Sequence, residues 1–546
     1  MKTYWAKYKN EHILYKLLTF AIIAVIALFL LRVVKNTIVG LDYPNEILEP
    51  ADVNFTNALL EGNNPYLREN IAKEGEEPPV NYEYPFLNNI CAAAFSFITG
   101  GNTVAAHYLV SFIAMVGTAV LGAVIIGRYS RTSVGAMAGF LLLLFCHWRY
   151  GYISASPDGF GLFVTMMTLY AASRPALKHR ALRCALLTVA CFYSKQYYAG
   201  VCVAIFIYFW CCSKKEALKY FAWCVVGLAS SVAIITYAWP LYWDYSILCL
   251  MHGCFHGWNM DGVLNVLNQM KYLAFIFAGM LAVLAVALVK FIKTGRAEKT
   301  DINTSGINNS GSRDESHDDK ETNALLLFLI QIPVQIIILF FVGRNDGAYL
   351  TYFLQLLIPS LVIATLILME QMVITKHEMI FIGCYGLLVA FTVYFGWTKL
   401  PMHMLTEEDV SNWERAYALI DEYREKGEIQ HYIVTAYNAI ENGDSVFLTG
   451  HDGDITEANY AEWRETPLQQ MIFPDADEMY EENLSYREVI KDRIKNHELA
   501  LVIEQPEGGF IGADYLTASG YEIAETFSLQ VGNIEYQIAM WAVASR

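Results

Sequence analysis

The sequence predicts a mainly α-helical, polytopic membrane protein with about eleven transmembrane helices and a small extracytoplasmic α/β domain at its C-terminus. The first observation is composition: 55% of the 546 residues are hydrophobic and only 17% are charged, whereas soluble domains carry about 25% charged residues. The second is charge distribution. Residues 400–546 contain 9 Lys and Arg against 29 Asp and Glu, a net of −20, whereas the remainder of the chain is at +4. We therefore expect a transmembrane domain over 1–399 and a soluble domain over 400–546.

Long apolar runs define the expected spans, because a helix needs about 20 apolar residues to cross roughly 30 Å of hydrocarbon. The first run is too long for a cleaved signal peptide, so we interpret it as the first span. A shorter apolar stretch, 85–99, is expected to dip into the outer face without crossing it. The expected spans are 13–35, 103–127, 132–148, 157–173, 181–195, 197–213, 217–239, 269–292, 323–342, 348–369 and 377–397.

The orientation of these spans follows from Lys and Arg in short loops, which concentrate on the cytoplasmic side. The N-terminus and one alternating set of loops are basic, so we place them in the cytoplasm, with the protein in the plasma membrane. An odd number of spans then places residues 400–546 outside. The polar stretch 297–322, rich in Asn, Ser and Asp, is expected to be a disordered cytoplasmic loop. The basic loops are 127–132, 174–183, 214–219, 290–299 and 375–377.

The acidic tail has the pattern of a small α/β domain. Residues 413–427 (WERAYALIDEYREKG) have helical spacing, and the segments DSVFLTG and ELALVIEQPE are typical of β-strands. The alternation in EIAETFSLQ and YQIAMWAV predicts a terminal hairpin.

Candidate catalytic acids lie in the first outer loop, 40–84. Glu46 and Glu49 are three residues apart, so a continuous helix would place both on one face. Pro50 suits a first helical turn, which places Glu49 at the helix start. A partly desolvated carboxylate at this position is suited to general-base catalysis, but a solvated acidic loop with a capped helix explains the same residues. The acids of this loop nearest the membrane exit are Asp42, Glu46, Glu49 and Asp52.

Three cations occur at the outer ends of spans, where the positive-inside rule does not expect them: Arg149, Lys195 and Arg344. Charged groups near the membrane interior usually pair with a functional partner. One explanation is structural salt bridges to nearby acids such as Asp158. The other is an anion arriving from the lipid, and a phosphate head group fits because Arg and Lys pair well with it.

Five stretches carry a family resemblance that covers roughly residues 10–400. Glu49 is followed by LLEGNNPY (59–66), and NYEYPFL (81–87) is similar to an N-x-YPPL motif with Phe for the second Pro. SPDGFGL (156–162) is similar to RPDxxGL without the Arg, and FYSKQ (192–196) is similar to F-x-x-KQ. GAYLTYFLQLLIPSL (347–361) is similar to a GAxxNYFLE segment. In their order and spacing these motifs resemble the GT-C superfamily of polyprenyl-phosphate-sugar-dependent glycosyltransferases, closest to bacterial relatives of protein mannosyltransferases and lipid A aminoarabinose transferases.

The resemblance implies a GT-C-like fold and an inverting transfer of a sugar from a polyprenyl-phosphate carrier to an extracytoplasmic acceptor, which is a glycan, a lipid or a protein. Aligning LLEG places Glu49 at the family's first-loop catalytic acid, with Glu46 and then Asp42 as alternatives. The donor phosphate is expected at Lys195 and Arg344, with Arg149 as a further cation.

The remaining motif residues are expected to support the site, Asp158 by orienting the acceptor or pairing with a cation. No metal or other cofactor is expected, because phosphate is already a good leaving group and cationic stabilisation suffices. The expected supporting residues are Asp158, Tyr84, Gln196 and Tyr352.

Two other functions remain open at this point. A transporter or flippase of lipid-linked sugars should carry charged or broken helices near the midplane and repeated halves, and the sequence has no repeat. A non-catalytic membrane scaffold should tolerate loss of Glu49, Asp158 and Lys195. Nucleic acid is excluded as a partner by the acidic balance, which leaves membrane lipids, the lipid-linked sugar and the acceptor.

Overall fold

The computed structural model describes most of the chain, with gaps that include Glu46, Arg344 and the predicted span 269–292. These three predictions therefore lie outside the described residues. The side chains of Arg149 and Tyr352 lie outside them as well, although each belongs to a described helix. The described ranges are 11–45, 49–64, 66–67, 84–151, 153–243, 246, 318–342, 350–372, 378–394, 405–431, 433–442, 444–446, 488–506, 511–532 and 534–544.

Helices dominate the described residues before position 400. Most are apolar along their whole length, and they pack around one cluster of buried aliphatic and aromatic side chains. In chain order they are α1 (Ile13–Val39), α2 (Glu49–Glu61), α3 (Leu87–Ser96), α4 (Thr103–Tyr129), α5 (Ser133–Gly151), α6 (Asp158–Ala172), α7 (Arg180–Ser194), α8 (Val201–Cys212), α9 (Lys214–Ala238), α10 (Asp318–Val342), α11 (Leu350–Met372) and α12 (Glu378–Tyr394).

The predicted spans coincide with these helices wherever the chain is described. Three helices, Ile13–Val39, Thr103–Tyr129 and Lys214–Ala238, are long and apolar enough to cross a membrane by length and composition. The stretch predicted to dip into the outer face forms the short helix α3. Helix α10 begins at Asp318, inside the stretch predicted as a disordered loop, because the acidic residues of its first turn suit a helix N-terminus.

A buried carboxylate joins three of the membrane helices at one end. Glu370 of α11 is 0% exposed and accepts hydrogen bonds from the backbone N–H groups of Arg131 and Thr132, just before α5. It also accepts from the hydroxyl of Tyr385 in α12, 2.6 Å away. Every partner is a donor, so this carboxylate stabilises the start of α5.

The described residues after position 404 form an α/β unit with a five-stranded sheet in the order β2-β1-β3-β5-β4. Strand β1 is parallel to β2 and β3, and β5 is antiparallel to β3 and β4. The predicted first helix and terminal hairpin are both present. The elements are α13 (Glu407–Arg424), β1 (Glu428–His431), α14 (Ala436–Asn442), β2 (Ser445–Val446), α15 (488–495), β3 (Leu499–Glu504), α16 (Ala513–Ala518), β4 (Tyr521–Val531) and β5 (Ile534–Val543).

A hydrogen-bonded network ties α14 to the rest of this unit. His431 Nε2 lies 2.7 Å from Asp444 Oδ2, and His431 Nδ1 lies 3.2 Å from Thr435 Oγ1. Arg424 donates through Nε to both oxygens of Asp444 and through Nη2 to Asn438 Oδ1. Because α14 is short, these side chains hold it more firmly than its own backbone does.

This network makes stability pH-dependent. Burial lowers the pKa of the His431 imidazole, although Asp444 partly offsets the effect. Burial also opposes ionisation of Asp444, but hydrogen bonds from His431 and Arg424 outweigh it and lower the pKa of Asp444 to about 2. The unfolded chain therefore binds protons more readily at both groups, and stability falls as pH drops.

We expect the His431 contribution to be lost below about pH 6.5 and the Asp444 contribution between about pH 4 and 2. Thermal unfolding of the full chain, followed by tryptophan fluorescence, checks this between pH 7.5 and 5. His431→Gln should flatten the profile, because an amide keeps a donor for Asp444 without titrating. An identical pH slope in the variant would contradict this assignment.

Candidate active site

Lys195 and Asp158 form a buried ion pair. Helix α7 ends at Ser194, and Lys195 has an extended backbone (φ −165°, ψ 133°) before a 3-10 helix at Gln196–Gly200. Its Nζ lies 2.9 Å from Oδ2 of Asp158, the first residue of α6, and the two side chains are only 4% and 12% exposed. The helix break therefore brings together two of the residues that the sequence motifs identified.

Hydroxyls and aromatic rings complete this cluster. Tyr197 donates to Asp158 Oδ1 at 2.5 Å, and Ser156 Oγ donates to Oδ2 at 2.7 Å. The Lys195 ammonium lies 4.3 Å from the centre of the Tyr84 ring and 5.5 Å from that of Tyr197. Such contacts stabilise a cation that is largely removed from water. Tyr84 thus joins Asp158 and Lys195, as the supporting role predicted for it requires.

The cluster has the electrostatic properties of a site that can accept an anion. Burying an ammonium far from water is unfavourable unless it is paired, and Asp158 provides the pairing in this state. A phosphate can take part in that pairing, because it offers charged oxygens to the same ammonium. The sequence left open whether Lys195 pairs with an acid or binds a lipid phosphate. The structure shows the ion pair between Lys195 and Asp158. The same ammonium is chemically able to bind a phosphate as well.

Glu49 begins α2 as predicted and is fully buried. Its Oε1 accepts a hydrogen bond from the backbone N–H of Ala155 at 2.9 Å. Its Oε2 accepts from the backbone N–H of Asn45 at 2.5 Å and from the hydroxyls of Tyr108 and Tyr437 at 3.2 Å each. These four described groups are all donors, so together they hold the Glu49 carboxylate in place in this arrangement.

The α/β unit supplies one of those donors, because Tyr437 belongs to α14. Burial and the neighbouring Glu49 carboxylate raise the pKa of Tyr437 well above its ordinary value, so its hydroxyl remains a donor. A second contact comes from Tyr43, whose ring lies 5.9 Å from Trp413 and stacks at 6.1 Å on Tyr417 of α13. At the turn of the terminal hairpin, Gly532 lies so close to the Asn45 carbonyl that any side chain would clash with it.

One short segment connects Glu49 with the ion pair. Ala155 donates its N–H to Glu49, and Ser156, the next residue, donates its hydroxyl to Asp158. The two carboxylates are therefore held by neighbouring residues of the loop before α6. This arrangement links the first outer loop to the Lys195 cluster.

The other predicted residues are placed as follows. Gln196 donates through Nε2 to the backbone carbonyl of Ser246 at 2.9 Å, which fixes the chain next to Lys195. Asp42 is exposed and lines a cleft between the first outer loop and the α/β unit. The roles of all these residues stay predictions, as do those of Glu46, Arg149, Arg344 and Tyr352.

Three further residues near the two carboxylates were not identified as candidate site residues from the sequence: Tyr197, Tyr437 and His147. Tyr197 lies directly after the KQ motif, so its position was a usable signal, whereas nothing near Tyr437 in the sequence connects it with Glu49. His147 is 2% exposed, and among the described residues its ring nitrogens have no hydrogen-bond partner. Its ring packs on Gly159, next to Asp158. Its position near a predicted span end gave no reason to single it out.

Comparisons with known proteins rest on structure. No family model matches the sequence, and no curated protein matches it. Among solved structures, ArnT from Cupriavidus metallidurans bound to undecaprenyl phosphate is similar, with a TM-score of 0.51 and 12% identity, covering 96% of this chain and 98% of that one. The apo state of the same ArnT gives a TM-score of 0.49, also at 12% identity, over 96% of this chain and 100% of that one.

The first of these matches shows the fold, because it extends over nearly the whole of both chains. It agrees with the apolar helices of the described residues and indicates an integral membrane protein. The chain therefore has a fold similar to that of this ArnT, as the sequence resemblance implied.

Proposed function

We propose that the protein is an inverting glycosyltransferase that moves a sugar from a polyprenyl-phosphate carrier to an acceptor on the extracytoplasmic side. The observation that carries this proposal is the buried Lys195–Asp158 pair, set in a fold similar to that of an ArnT bound to undecaprenyl phosphate. Glu49, one of the expected first-loop acids, is connected with this cluster through Ala155 and Ser156.

Lys195 holds the donor phosphate in this proposal. The ammonium is nearly inaccessible to water, so its attraction to a second anion is weakly screened. As the bond between the anomeric carbon and the phosphate oxygen breaks, negative charge grows on the leaving phosphate. A cation already placed there stabilises that charge. Arg344 and Arg149 are proposed as additional cations at the same level.

The acceptor hydroxyl attacks the anomeric carbon and loses its proton to a first-loop carboxylate. The new bond joins the acceptor oxygen to the sugar, and the polyprenyl phosphate leaves with the electron pair. Glu49 would have to give up four donors before accepting a proton, so we assign it a positioning role in this step. Glu46, or the exposed Asp42, is then the proton acceptor. No metal enters the proposal.

The direct test is transfer by purified protein. Radiolabelled polyprenyl-phosphate sugars are incubated with the full chain in detergent and a cell-envelope extract, and labelled extract is counted. Asp42→Asn and Glu46→Gln are then compared with wild type, and the variant that lacks the base should lose at least about 100-fold in rate. Wild-type protein that moves intact lipid-linked sugar across vesicles without transferring it would instead identify a flippase.

A further inference from the structure

A cleft of about 400 Å³ separates the first outer loop from the α/β unit. One wall is formed by α2 and by the turn that leads into α4, and the other is formed by α13 and α14. This volume lies within the range of about 300–1,000 Å³ that is typical of small-molecule sites. The polar residues that line it are Asp42, Tyr43, Asn57, Asn102, Thr103, Tyr417, Tyr437 and Asn438.

The chemistry of these walls suits a ligand with hydroxyl groups. The Asn57 side chain carries both donors and an acceptor, and a sugar hydroxyl needs both, whereas the Oδ1 atoms of Asn102 and Asn438 already accept from the Ala105 N–H and from Arg424. Tyr43 and Tyr417 both line the cleft and stack on each other with an angle of 15° between their planes, so the cleft has aromatic surface. The electron-rich face of an aromatic ring attracts the weakly positive C–H groups of a pyranose ring. A carbohydrate uses both features at once.

The charge around the cleft disfavours an anionic ligand. The described residues that line it include Asp42 but no Lys, Arg or His. Arg424, which donates to Asn438, is itself ion-paired with Asp421 and Asp444. Residues 400–546 carry a net charge of −20, which repels anions over longer distances as well. The ligand that fits is neutral or carries an amine.

Hydrogen bonds connect the cleft with the proposed donor site. Tyr437 lines the cleft and donates to Glu49, which in turn accepts from Ala155. Ser156 then donates to Asp158, the partner of Lys195. The cleft and the ion pair therefore lie along one hydrogen-bonded path through the segment before α6. A ligand in the cleft would be close to that path.

We propose that this cleft binds a neutral or amine-bearing carbohydrate, which is the glycan part of the acceptor. Identifying this carbohydrate as part of the acceptor rests on the proposed function, whereas its binding to the cleft does not depend on sugar transfer. A peptide is the competing ligand. It would be expected to use an open strand edge or apolar pockets for alternate side chains. The amide-rich, aromatic walls favour the sugar.

The test measures binding to the full chain in detergent by saturation-transfer NMR. The probes are cellobiose, N,N′-diacetylchitobiose and the chitosan disaccharide, compared with glucose 1-phosphate and tetra-alanine. Asn57→Trp fills the cleft, and Asn57→Ala removes one hydrogen-bonding side chain with little disturbance of α2. Asn63→Ala, at an exposed position just after α2 and outside the cleft, is the matched control.

We expect at least one disaccharide to bind, with its Kd raised at least about tenfold by both Asn57 variants and unchanged by Asn63→Ala. Undecaprenyl phosphate binding, measured in parallel, should be unaffected by all three, which separates this site from the donor site. The inference is overturned if no disaccharide binds, if both Asn57 variants bind as wild type does, or if tetra-alanine or glucose 1-phosphate binds in preference. Disaccharide binding by a protein that performs no transfer would refute the proposed function and leave the cleft assigned.

Discussion

Lys195→Met should lower sugar transfer by about 100-fold or more, the size of effect seen when one preorganised charge-stabilising donor is removed. It should also abolish measurable binding of undecaprenyl phosphate. The physical reason is that Lys195 is the cation observed at the buried pair with Asp158, held between the rings of Tyr84 and Tyr197. Methionine preserves most of the side-chain volume and removes only the charge and its donors. Tritiated undecaprenyl phosphate retained by the immobilised protein measures binding.

Misfolding must be separated from loss of the charge, because removing one partner of a buried pair costs about 3–5 kcal/mol. The double variant Lys195→Met with Asp158→Asn no longer buries an unpaired charge, so it should unfold near the wild-type temperature and still fail to bind. Lys195→Arg keeps the charge and should retain part of the binding. Normal phosphate binding by the double variant would remove Lys195 from the donor site.

Glu49→Ala should destabilise the protein by about 3 kcal/mol or more, because several buried donors lose their acceptor together. These donors come from the first outer loop, α4, the segment before α6 and the α/β unit, so their loss loosens four parts of the chain at once. Tyr437→Phe removes a single donor and should cost about 1 kcal/mol. Thermal unfolding of the full chain measures both effects.

Glu49→Gln distinguishes a positioning role from a purely catalytic one. The amide presents its own N–H group to donors, so a positioning residue should lose stability and transfer together. A catalytic base that holds no structure would lose transfer at unchanged stability. Wild-type unfolding temperatures in both Glu49→Ala and Glu49→Gln would show that its four hydrogen bonds do not position the first outer loop.

The apolar helices could be predicted from sequence because every helix that crosses the hydrocarbon needs a run of about 20 apolar residues. The run beginning at Ile13 and the run beginning at Thr103 each form a helix that starts where hydropathy places it. The terminal hairpin could be predicted from the apolar–polar alternation in its strand segments, but the register shift between Ile523 and Glu525 could not. The start of α10 was predicted less accurately. Its acidic residues favoured a loop, but a helix tolerates acids in its first turn.

The site was predictable residue by residue, but its connections were not. Asp158 and Lys195 were identified separately, and the sequence could not decide between mutual pairing and anion binding. Glu49 was identified as an acid at a helix start, but its contact with Tyr437 joins residues 388 positions apart. No local pattern encodes such a contact, because it depends on how the α/β unit docks.

The ring of Tyr43, which packs against both Trp413 and Tyr417, has a consequence for engineering. A C-terminal α/β unit grafted from a related protein would pack against a residue 43 segment that does not match it, unless residues 41–45 were exchanged with it. Chimeras that move 405–544 alone should therefore express poorly, whereas chimeras that carry both pieces should fold. Residues 41–45 and the tail should therefore be exchanged together, although about 360 positions separate residue 45 from residue 405 along the chain.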